Sequence, residues 1–458
     1  MSTFLGLIKE IPGISVDRFD GENLTSSIFF LSHCHSDHMH GLSDTFFEHI
    51  DKYKKYFYCS PISKALLESR FKFKSSCVRE IGINIPSVIE YITENEEKIL
   101  ICVTSIPAGH CPGSVMFLFE KDNISVLYTG DFRINPIDFP KLKGLHYCND
   151  SKSIPRTFTK IYLDTTFLST DFPVFPSRQE SMRRIYEVTK NWISKDPRNV
   201  VILECSATYG SEFLFVELSK MLDMKIHVRN DVFENYCHIA QLSCYVTNDP
   251  DSTSIHACKK KISSPGLRCR SDVSNANILT VIPSVMKWRK KDTSIIGEWD
   301  KNKERTFNVC YSTHSSLAEL RAFIQYFEAS EIYPCVIKTE EEREIFRLLD
   351  TIKNKSDEKP IISQKYKLEL PSRKILSKVK FKSEYFSTPT STVNICFFVM
   401  PCTFFCTNKK TNIFNTHFRE YLVIGKILSS CNSMRCWEFY FFLENLIPIS
   451  SCVFKWIT

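Results

Sequence analysis

Four residues that can bind metal ions or transfer protons lie within six positions of the chain, at His33, His35, Asp37 and His38. They directly follow the apolar run 28–31, which is typical of a short buried strand. In a tight loop after that strand, His33 and His35 can point at one ion while Asp37 and His38 serve a second. Imidazole and carboxylate groups suit Zn²⁺ or another borderline divalent ion. The spacing therefore predicts a metal centre rather than a polar loop with a chance cluster of histidines.

Other ionisable residues follow further apolar runs. Strands are predicted over 100–106, 126–129 and 160–164, and a shorter run covers 14–16. An aspartate after a strand is usually a turn former or a helix cap, so each such residue alone indicates little. Ionisable groups at the ends of five successive strands have the arrangement that a metal centre requires. These groups are Asp17, the 33–38 loop, His110, Asp131 and Asp164.

Length and composition limit the class of protein. A chain of 458 residues predicts two to three domains, and its 43% hydrophobic and 24% charged residues exclude a disordered, collagenous or coiled-coil protein for most of the length. Nineteen cysteines without a recognisable secretory signal favour reduced thiols and metal ligation over a disulfide framework. The net charge of +7 fits an acidic partner. We find no apolar stretch of the ~18–20 residues that a membrane helix needs, and we expect a soluble intracellular protein.

Alternating strands and helices predict an α/β insert in the middle of the chain. Beyond the runs above, the first 150 residues contain predicted strands at 27–32 and 115–119. The later predicted elements are a helix at 177–193, a strand at 199–205, a helix at 212–221, a strand at 307–314, a helix at 317–327, and a final helix with a linker within 339–385.

These motifs resemble those of the metallo-β-lactamase fold, and the segment between Asp164 and His314 resembles the β-CASP domain of its nucleic-acid-cutting branch. The specific resemblance, to DNA-repair nucleases of that family, is carried by residues 15–20, 31–41, 107–119, 127–133, 162–167 and 311–319. It covers residues 1–340 and implies an α/β protein, an αββα sandwich with an inserted α/β β-CASP domain. The expected divisions are 1–155 and 306–345 for the sandwich, 156–305 for the insert, 346–394 for a helix and linker, and 395–458 for an atypical tail.

The resemblance also implies which residues hold catalytic zinc, as one or two ions, with magnesium or manganese as alternatives at the second position. One ion would be held by His33, His35, His110 and Asp131. The second would be held by Asp37, His38, His314 and a bridging Asp131, with His314 either a ligand or a general acid. Asp17 would orient a ligand imidazole through its other ring nitrogen, and Asp164 would be the acidic residue that the family needs near the metals.

A second cluster of candidate ligands lies in the insert, at His227, His256, Cys258 and Cys269. Two imidazoles and two thiolates can close a tetrahedral structural zinc site, although this spacing is not that of a standard zinc finger. The resemblance implies such a site in the β-CASP domain. Buried free thiols are the alternative.

Basic residues near this cluster are candidates for nucleic-acid contact. Lys259 and Lys260 follow Cys258, and the run Lys287, Trp288 and Arg289 interleaves an aromatic ring with cations, as single-strand binders often do. Solvated surface charge is the alternative for both groups, and nuclear import is a further alternative for the second.

By resemblance, the chain is a zinc-dependent DNA endonuclease that opens hairpins and trims single-strand/duplex junctions in non-homologous end joining, with 5′–3′ exonuclease activity as an addition. The alternatives are a 5′–3′ DNA exonuclease of crosslink repair or telomere processing, an RNA 3′-end nuclease, and a DNA-binding scaffold whose catalytic site has decayed. A small-molecule hydrolase would have no use for the insert.

The same resemblance implies partners and a location. DNA ends and hairpins are the expected substrates, and DNA-dependent protein kinase and a DNA ligase complex are expected from the resemblance alone. A monomer in the nucleus is expected, without membrane association. The tail at 395–458 holds six cysteines and fourteen aromatic residues without a clean period. We predict that it has no defined fold, with a small packed element as the alternative.

Overall fold

The computed structural model describes residues 2–149, 152–205, 210–237, 239–258 and 267–354. Its first elements are β1 (Ile14–Val16), β2 (Ile28–Leu31), α1 (Asp44–Lys52), β3 (Tyr56–Cys59), α2 (Pro61–Glu68) and β4 (Val78–Glu80). The four strands form a parallel sheet in this order. Helices make the parallel connections. Ser43 caps the N-terminus of α1, and Ser60 caps α2, which has proline at its first position.

The next seven strands belong to a second sheet and to a separate strand pair. They are β5 (Ser87–Ile92), β6 (Lys98–Pro107), β7 (Val115–Lys121), β8 (Ile124–Tyr128), β9 (His146–Asn149), β10 (Lys152–Pro155) and β11 (Phe158–Leu163). Strands β5 to β8 pair antiparallel with their chain neighbours, and β11 pairs parallel with β8. Strands β9 and β10 form a separate antiparallel pair.

The middle of the chain forms an α/β insert with its own sheet. Its elements are α3 (Arg178–Ile193), β12 (Val200–Leu203), α4 (Glu212–Leu222), β13 (Ile226–His227), α5 (Asn230–Cys237), α6 (Ala240–Ser243), β14 (Val246–Thr247), β15 (Ile255–His256), β16 (Ile278–Pro283), β17 (Gly297–Trp299) and β18 (Thr306–Val309). The strand order is β14-β13-β15-β12-β16-β18-β17, parallel except for β17. Ser177 and Glu180 form a capping box that starts α3 where the sequence predicts a helix.

Three further elements return the chain to the second sheet. They are α7 (Leu317–Tyr326), β19 (Ala329–Pro334) and α8 (Glu342–Asn354). Strand β19 pairs parallel with β11, so that the sheet has the order β19-β11-β8-β7-β6-β5. Helix α7 begins with a second capping box, formed by Ser316 and Glu319.

The two sheets of the first and last parts of the chain pack face to face between helical layers. Phe30 of β2 lies 4.9 Å, between ring centroids, from Phe119 of β7. On the outer face of the first sheet, Phe29 contacts Phe46 of α1 at 5.1 Å. Helices α7 and α8 cover the outer face of the second sheet. The predicted α/β class, a helix–sheet–sheet–helix sandwich with an inserted α/β domain, is confirmed.

Strand pairing places both boundaries of the insert differently from the prediction at 156 and 305. Strand β11 belongs to the second sheet of the sandwich, and β18 belongs to the sheet of the insert. The insert sheet is therefore confined to the chain between β11 and α7. The pattern of an apolar run predicts a strand, but it carries no information about which sheet the strand joins.

The end of the described chain agrees with the prediction of a final helix, since α8 ends at Asn354. The predicted linker beyond residue 354 and the tail 395–458 lie outside the described residues. Among the helices that the structure describes, none has the length and apolar character needed to cross a membrane.

Candidate metal centre

The predicted ligands meet at one edge of the sandwich, beyond the carboxyl ends of its strands. Asp17 follows β1, and the 33–38 loop follows β2. His110 follows β6, Asp131 follows β8, and Asp164 follows β11. His314 arrives from the insert, after β18. Because β1 and β2 run parallel, as do β8 and β11, the residues after them lie at the same edge.

Four side chains enclose a space of the size that one metal ion requires. The Nε2 atoms of His33 and His110 lie 3.1 Å and 3.0 Å from Nδ1 of His35. Each of these Nε2 atoms lies 3.6 Å from Oδ2 of Asp131. A tetrahedral ion with ligand bonds of about 2.0–2.1 Å separates its ligand atoms by about 3.3 Å. The set therefore fits a zinc-sized ion with three imidazoles and one carboxylate.

Burial keeps these imidazoles neutral. It lowers the pKa of His33 and His110 well below the usual range, and it lowers the pKa of His35 to about 4. The neighbouring imidazoles lower the pKa of His33 further. Because a metal ion binds the neutral form of histidine, this set is ready to accept an ion at neutral pH.

The second carboxylate oxygen of Asp131 faces another group of ligands. Its Oδ1 lies 3.2 Å from Nε2 of His38, which lies 3.9 Å from Oδ2 of Asp37. His314 approaches the carboxylate from a further direction, with Nε2 3.8 Å from Oδ2 of Asp131. The single buried carboxylate of Asp131 therefore lies between two ligand groups, as a bridging ligand would.

In this second group, the carboxylates and the imidazoles shift one another's pKa values. Burial alone would lower the pKa of His38 and His314. The negative charge of Asp131 outweighs burial and raises the pKa of both histidines. Asp17 adds to this effect at His38, and Asp164 adds to it at His314. Burial alone would raise the pKa of Asp131, but the positive charges of His38 and His314 hold it well below the usual range. These contacts therefore favour the ionised form of Asp131.

Asp17 fixes the orientation of His38. One carboxylate oxygen lies 2.7 Å from Nδ1 of His38 and also accepts a hydrogen bond from the hydroxyl of Tyr128. The other accepts one from the backbone N–H of Ser32. With Nδ1 engaged, Nε2 of His38 points towards Asp131, and such a contact orients a metal-ligand imidazole.

Asp164 has the same relation to His314. Its Oδ2 lies 2.9 Å from Nδ1 of His314, and its Oδ1 accepts hydrogen bonds from the backbone N–H and hydroxyl of Thr166. Nε2 of His314 is thereby directed to the ligand group. All the residues predicted for the catalytic centre are brought together here.

The ligand groups line a cleft of about 320 Å³ with walls from both domains. The sandwich contributes Phe167, and the insert contributes Ser284 and Met286. The Met286 side chain is exposed at 61%. The cleft beside Asp131 is therefore bordered by the insert as well as by the sandwich.

The four candidate ligands of the insert also meet. Strands β13 and β15 are parallel neighbours, and their register pairs His227 with His256. The Nδ1 atoms of these histidines are 3.1 Å apart, and Sγ of Cys269 lies 3.5 Å from Nδ1 of His256 and 3.4 Å from Sγ of Cys258. A tetrahedral zinc ion with two nitrogen and two sulfur ligands spaces these atoms by about 3.3–3.8 Å. The set fits a closed structural site.

The predicted nucleic-acid run 287–289 has a different environment from the one expected. Trp288 is 2% exposed and its indole N–H donates to the backbone carbonyl of Ile295, so its ring is not available to stack on a base. Lys287 pairs with Asp300, and Arg289 pairs with Asp171 at 2.6 Å. Trp288 thus anchors the run in the core of the insert, and nucleic-acid contact by this run stays a prediction that rests on Lys287 and Arg289.

The other predicted nucleic-acid contacts, Lys259 and Lys260, lie outside the described residues. Two arginines, Arg133 and Arg178, contact the ligand-bearing loops although motif spacing does not reveal them. The only sequence signal is that Arg133 follows Asp131 by two positions.

Comparisons with known proteins agree with this geometry. Residues 240–340 match the family described as DNA repair metallo-beta-lactamase. Protein artemis of Pongo abelii is 39% identical over 354 residues, and that of Homo sapiens is 38% identical over 354 residues, covering 74% of this chain and 49% of each relative. DNA cross-link repair 1A protein of Mus musculus is 27% identical over 343 residues, covering 72% of this chain and 30% of the relative. The chain thus spans about half the length of the artemis proteins that it matches.

Proposed function

We propose that the chain is a DNA-repair metallo-β-lactamase similar to the artemis proteins, a metal-dependent DNA nuclease that opens hairpins and trims single-strand/duplex junctions during end joining. The observation that carries the proposal is the carboxylate of Asp131 between two groups of metal ligands. The first group would hold zinc and the second zinc, magnesium or manganese, and such ions would supply a Lewis acid and an activated water for phosphodiester hydrolysis.

The chain's own residues supply the rest of the site. His33, His35 and His110 offer neutral nitrogens, so that no proton has to leave before an ion binds. Asp17 and Asp164 hold Nδ1 of His38 and His314 and thereby aim the opposite ring nitrogens. We propose His314 as a ligand of the second group, with the general-acid role as the alternative.

The proposed partners follow from the family resemblance. DNA ends and hairpins are the proposed substrates. The protein would be a nuclear monomer that acts with DNA-dependent protein kinase and a DNA ligase complex. The higher identity to artemis, 39% against 27% for the cross-link repair 1A protein, favours the end-joining nuclease over a 5′–3′ exonuclease of crosslink repair.

A substrate panel tests the proposal directly. The full chain, loaded with zinc or with zinc and magnesium, is incubated with a labelled DNA hairpin, a 5′-phosphorylated single strand and the matching RNA strand. We expect hairpin opening by the wild type and no detectable cleavage by Asp37→Asn, with DNA binding retained. The variant keeps the shape of the side chain but removes a carboxylate from the second ligand group.

Each other outcome selects a different function. Digestion of the single strand from its 5′ end alone would identify an exonuclease, and cleavage of RNA alone would contradict a DNA substrate. A metal-loaded wild type that cleaves nothing would indicate a DNA-binding scaffold. Retained turnover in Asp37→Asn would remove Asp37 from the catalytic ligands.

A further inference from the structure

We propose that Arg133 and Arg178 form a clamp that sets the spacing of the metal-ligand loops and ties it to the position of the insert. Both are positioning residues, since their guanidinium groups bond to backbone carbonyls beside the ligands. The inference rests on the proposed metal centre. It adds that hydrogen bonds connect the ligand-bearing loops to helix α3. The joint between the two domains would then be part of the catalytic site.

Arg133 joins the Asp131 loop to the loop that carries His314. Arg133 is buried, and its Nη1 donates to the backbone carbonyl of Ser312 at 2.9 Å. Nη2 donates to the carbonyl of Pro176, just before α3, at 2.8 Å. The single guanidinium group of Arg133 therefore bonds to both chain segments that connect the sandwich to the insert.

Glu319 fixes Arg133 in this orientation. Its Oε1 lies 3.0 Å from Nε of Arg133, and its Oε2 accepts the backbone N–H of Ser316 in the capping box of α7. The two oxygens thus connect the guanidinium to the start of a rigid helix. The Arg133 and Glu319 side chains are 4% and 18% exposed, so that water screens this ion pair little.

Arg178, the first residue of α3, extends the clamp to the His110 loop. Its Nη2 donates to the backbone carbonyl of Gly109 and, at 2.9 Å, to that of Arg133. Gly109 has φ +67, and a Cβ there would lie 2.8 Å from the carbonyl oxygen of Arg133. The glycine therefore allows the close approach of two loops that Arg178 bridges.

One more hydrogen bond closes the ring of contacts. Nδ1 of His110 lies 3.1 Å from the carbonyl oxygen of Thr313, the residue before His314. The His110, Asp131 and His314 loops are therefore connected to one another and to α3. Guanidinium donors have a fixed planar geometry, which transmits position better than a flexible ammonium does. Partners that orient metal ligands typically alter metal affinity or activity by about 10–100-fold when removed.

The test compares Arg178→Ala and Arg178→Lys with Arg184→Ala in the full chain. Arg184 lies on the same helix, and its contacts, with Glu187 and over the ring of Phe307, stay within the insert. Each variant is titrated with Co²⁺ in the absence of DNA, and the visible absorption of bound cobalt is recorded. Absorption from thiolate-bound cobalt reports separately on the Cys258 and Cys269 cluster and acts as an internal control.

We expect Arg178→Ala to weaken Co²⁺ binding at the His/Asp ligands by about 10–100-fold and to change the visible spectrum, with the thiolate band unchanged. Arg178→Lys should recover part of the affinity, and Arg184→Ala should match the wild type. With DNA present, kcat should fall in Arg178→Ala while KM stays the same.

Wild-type affinity and spectrum in Arg178→Ala would overturn the clamp, whatever happens to thermal stability. An equal effect of Arg184→Ala would also overturn it, since the cause would then be general destabilisation of α3. If the wild type binds cobalt but cleaves no DNA, the proposed function fails and the metal titration still decides the clamp.

Discussion

Replacing Asp131 with asparagine is expected to lower the rate of DNA cleavage by at least about 1,000-fold, which corresponds to about 4 kcal/mol of transition-state stabilisation. The variant keeps the size of the side chain but removes the negative charge that lies 3.6 Å from the Nε2 atoms of His33 and His110. It also replaces the oxygen that lies 3.2 Å from Nε2 of His38. Single-turnover cleavage of a DNA hairpin measures the rate, and elemental analysis measures the metal content.

The metal content distinguishes a shared carboxylate from an ordinary ligand. Asp131→Asn should weaken the binding of both catalytic ions. Asp37→Asn should weaken the binding of the second ion only, because Asp37 contacts the second ligand group. Asp138→Asn is the matched control, since Asp138 lies on the surface and pairs with Lys141 there. Such an exposed pair contributes at most about 1 kcal/mol of stability. Full occupancy of both ions in Asp131→Asn, or turnover close to that of the wild type, would contradict the bridging role.

The catalytic ligands could be predicted because their chemistry and their order are both local. Apolar runs fix where strands end, and residues such as His110 and Asp164 directly follow those ends. Where such strands pair in parallel, as β1 with β2 and β8 with β11, their ends lie at one edge of the sandwich. The orienting contact of Asp17 with His38 joins the ends of the neighbouring strands β1 and β2, 21 positions apart.

The parts that could not be predicted depend on contacts between distant segments. The strand character of β18 is visible in the sequence, but its pairing with β16 is a tertiary property. The burial of Trp288 depends on apolar partners such as Phe172 and Phe175, more than 110 positions away. Arg133 and Arg178 act on backbone carbonyls, which every residue has, so no motif records their partners.

Replacing Cys258 with serine is expected to remove one zinc ion per chain and to lower the melting temperature by about 10 °C, while the catalytic ions stay bound. The Cys258 Sγ lies 3.4 Å from Sγ of Cys269, and the hydrogen bond between them helps to hold the pKa of Cys269 well below its usual range. A serine oxygen is a poor substitute for a thiolate zinc ligand.

The expected drop in melting temperature depends on which chain segments the zinc ion connects. Both cysteines pack beside the apolar group of Val200, Ile202, Leu267 and Ile278, so the bound ion ties the segment at 267–269 to the sheet of the insert. Structural zinc contributes about 10–16 kcal/mol in small isolated domains. We expect about 3–5 kcal/mol here, because the insert has its own core, and each 1 kcal/mol shifts the melting temperature of a domain of this size by about 2–4 °C.

Cys244→Ser separates loss of zinc from loss of a thiol. Cys244 is an exposed free cysteine of the same insert, so its replacement should leave zinc content and melting temperature unchanged. Calorimetry and zinc analysis of the three proteins complete the comparison. If Cys258→Ser kept its zinc and its melting temperature, the four insert residues would not form a zinc site, and the parallel register of His227 and His256 would serve only the packing of the sheet.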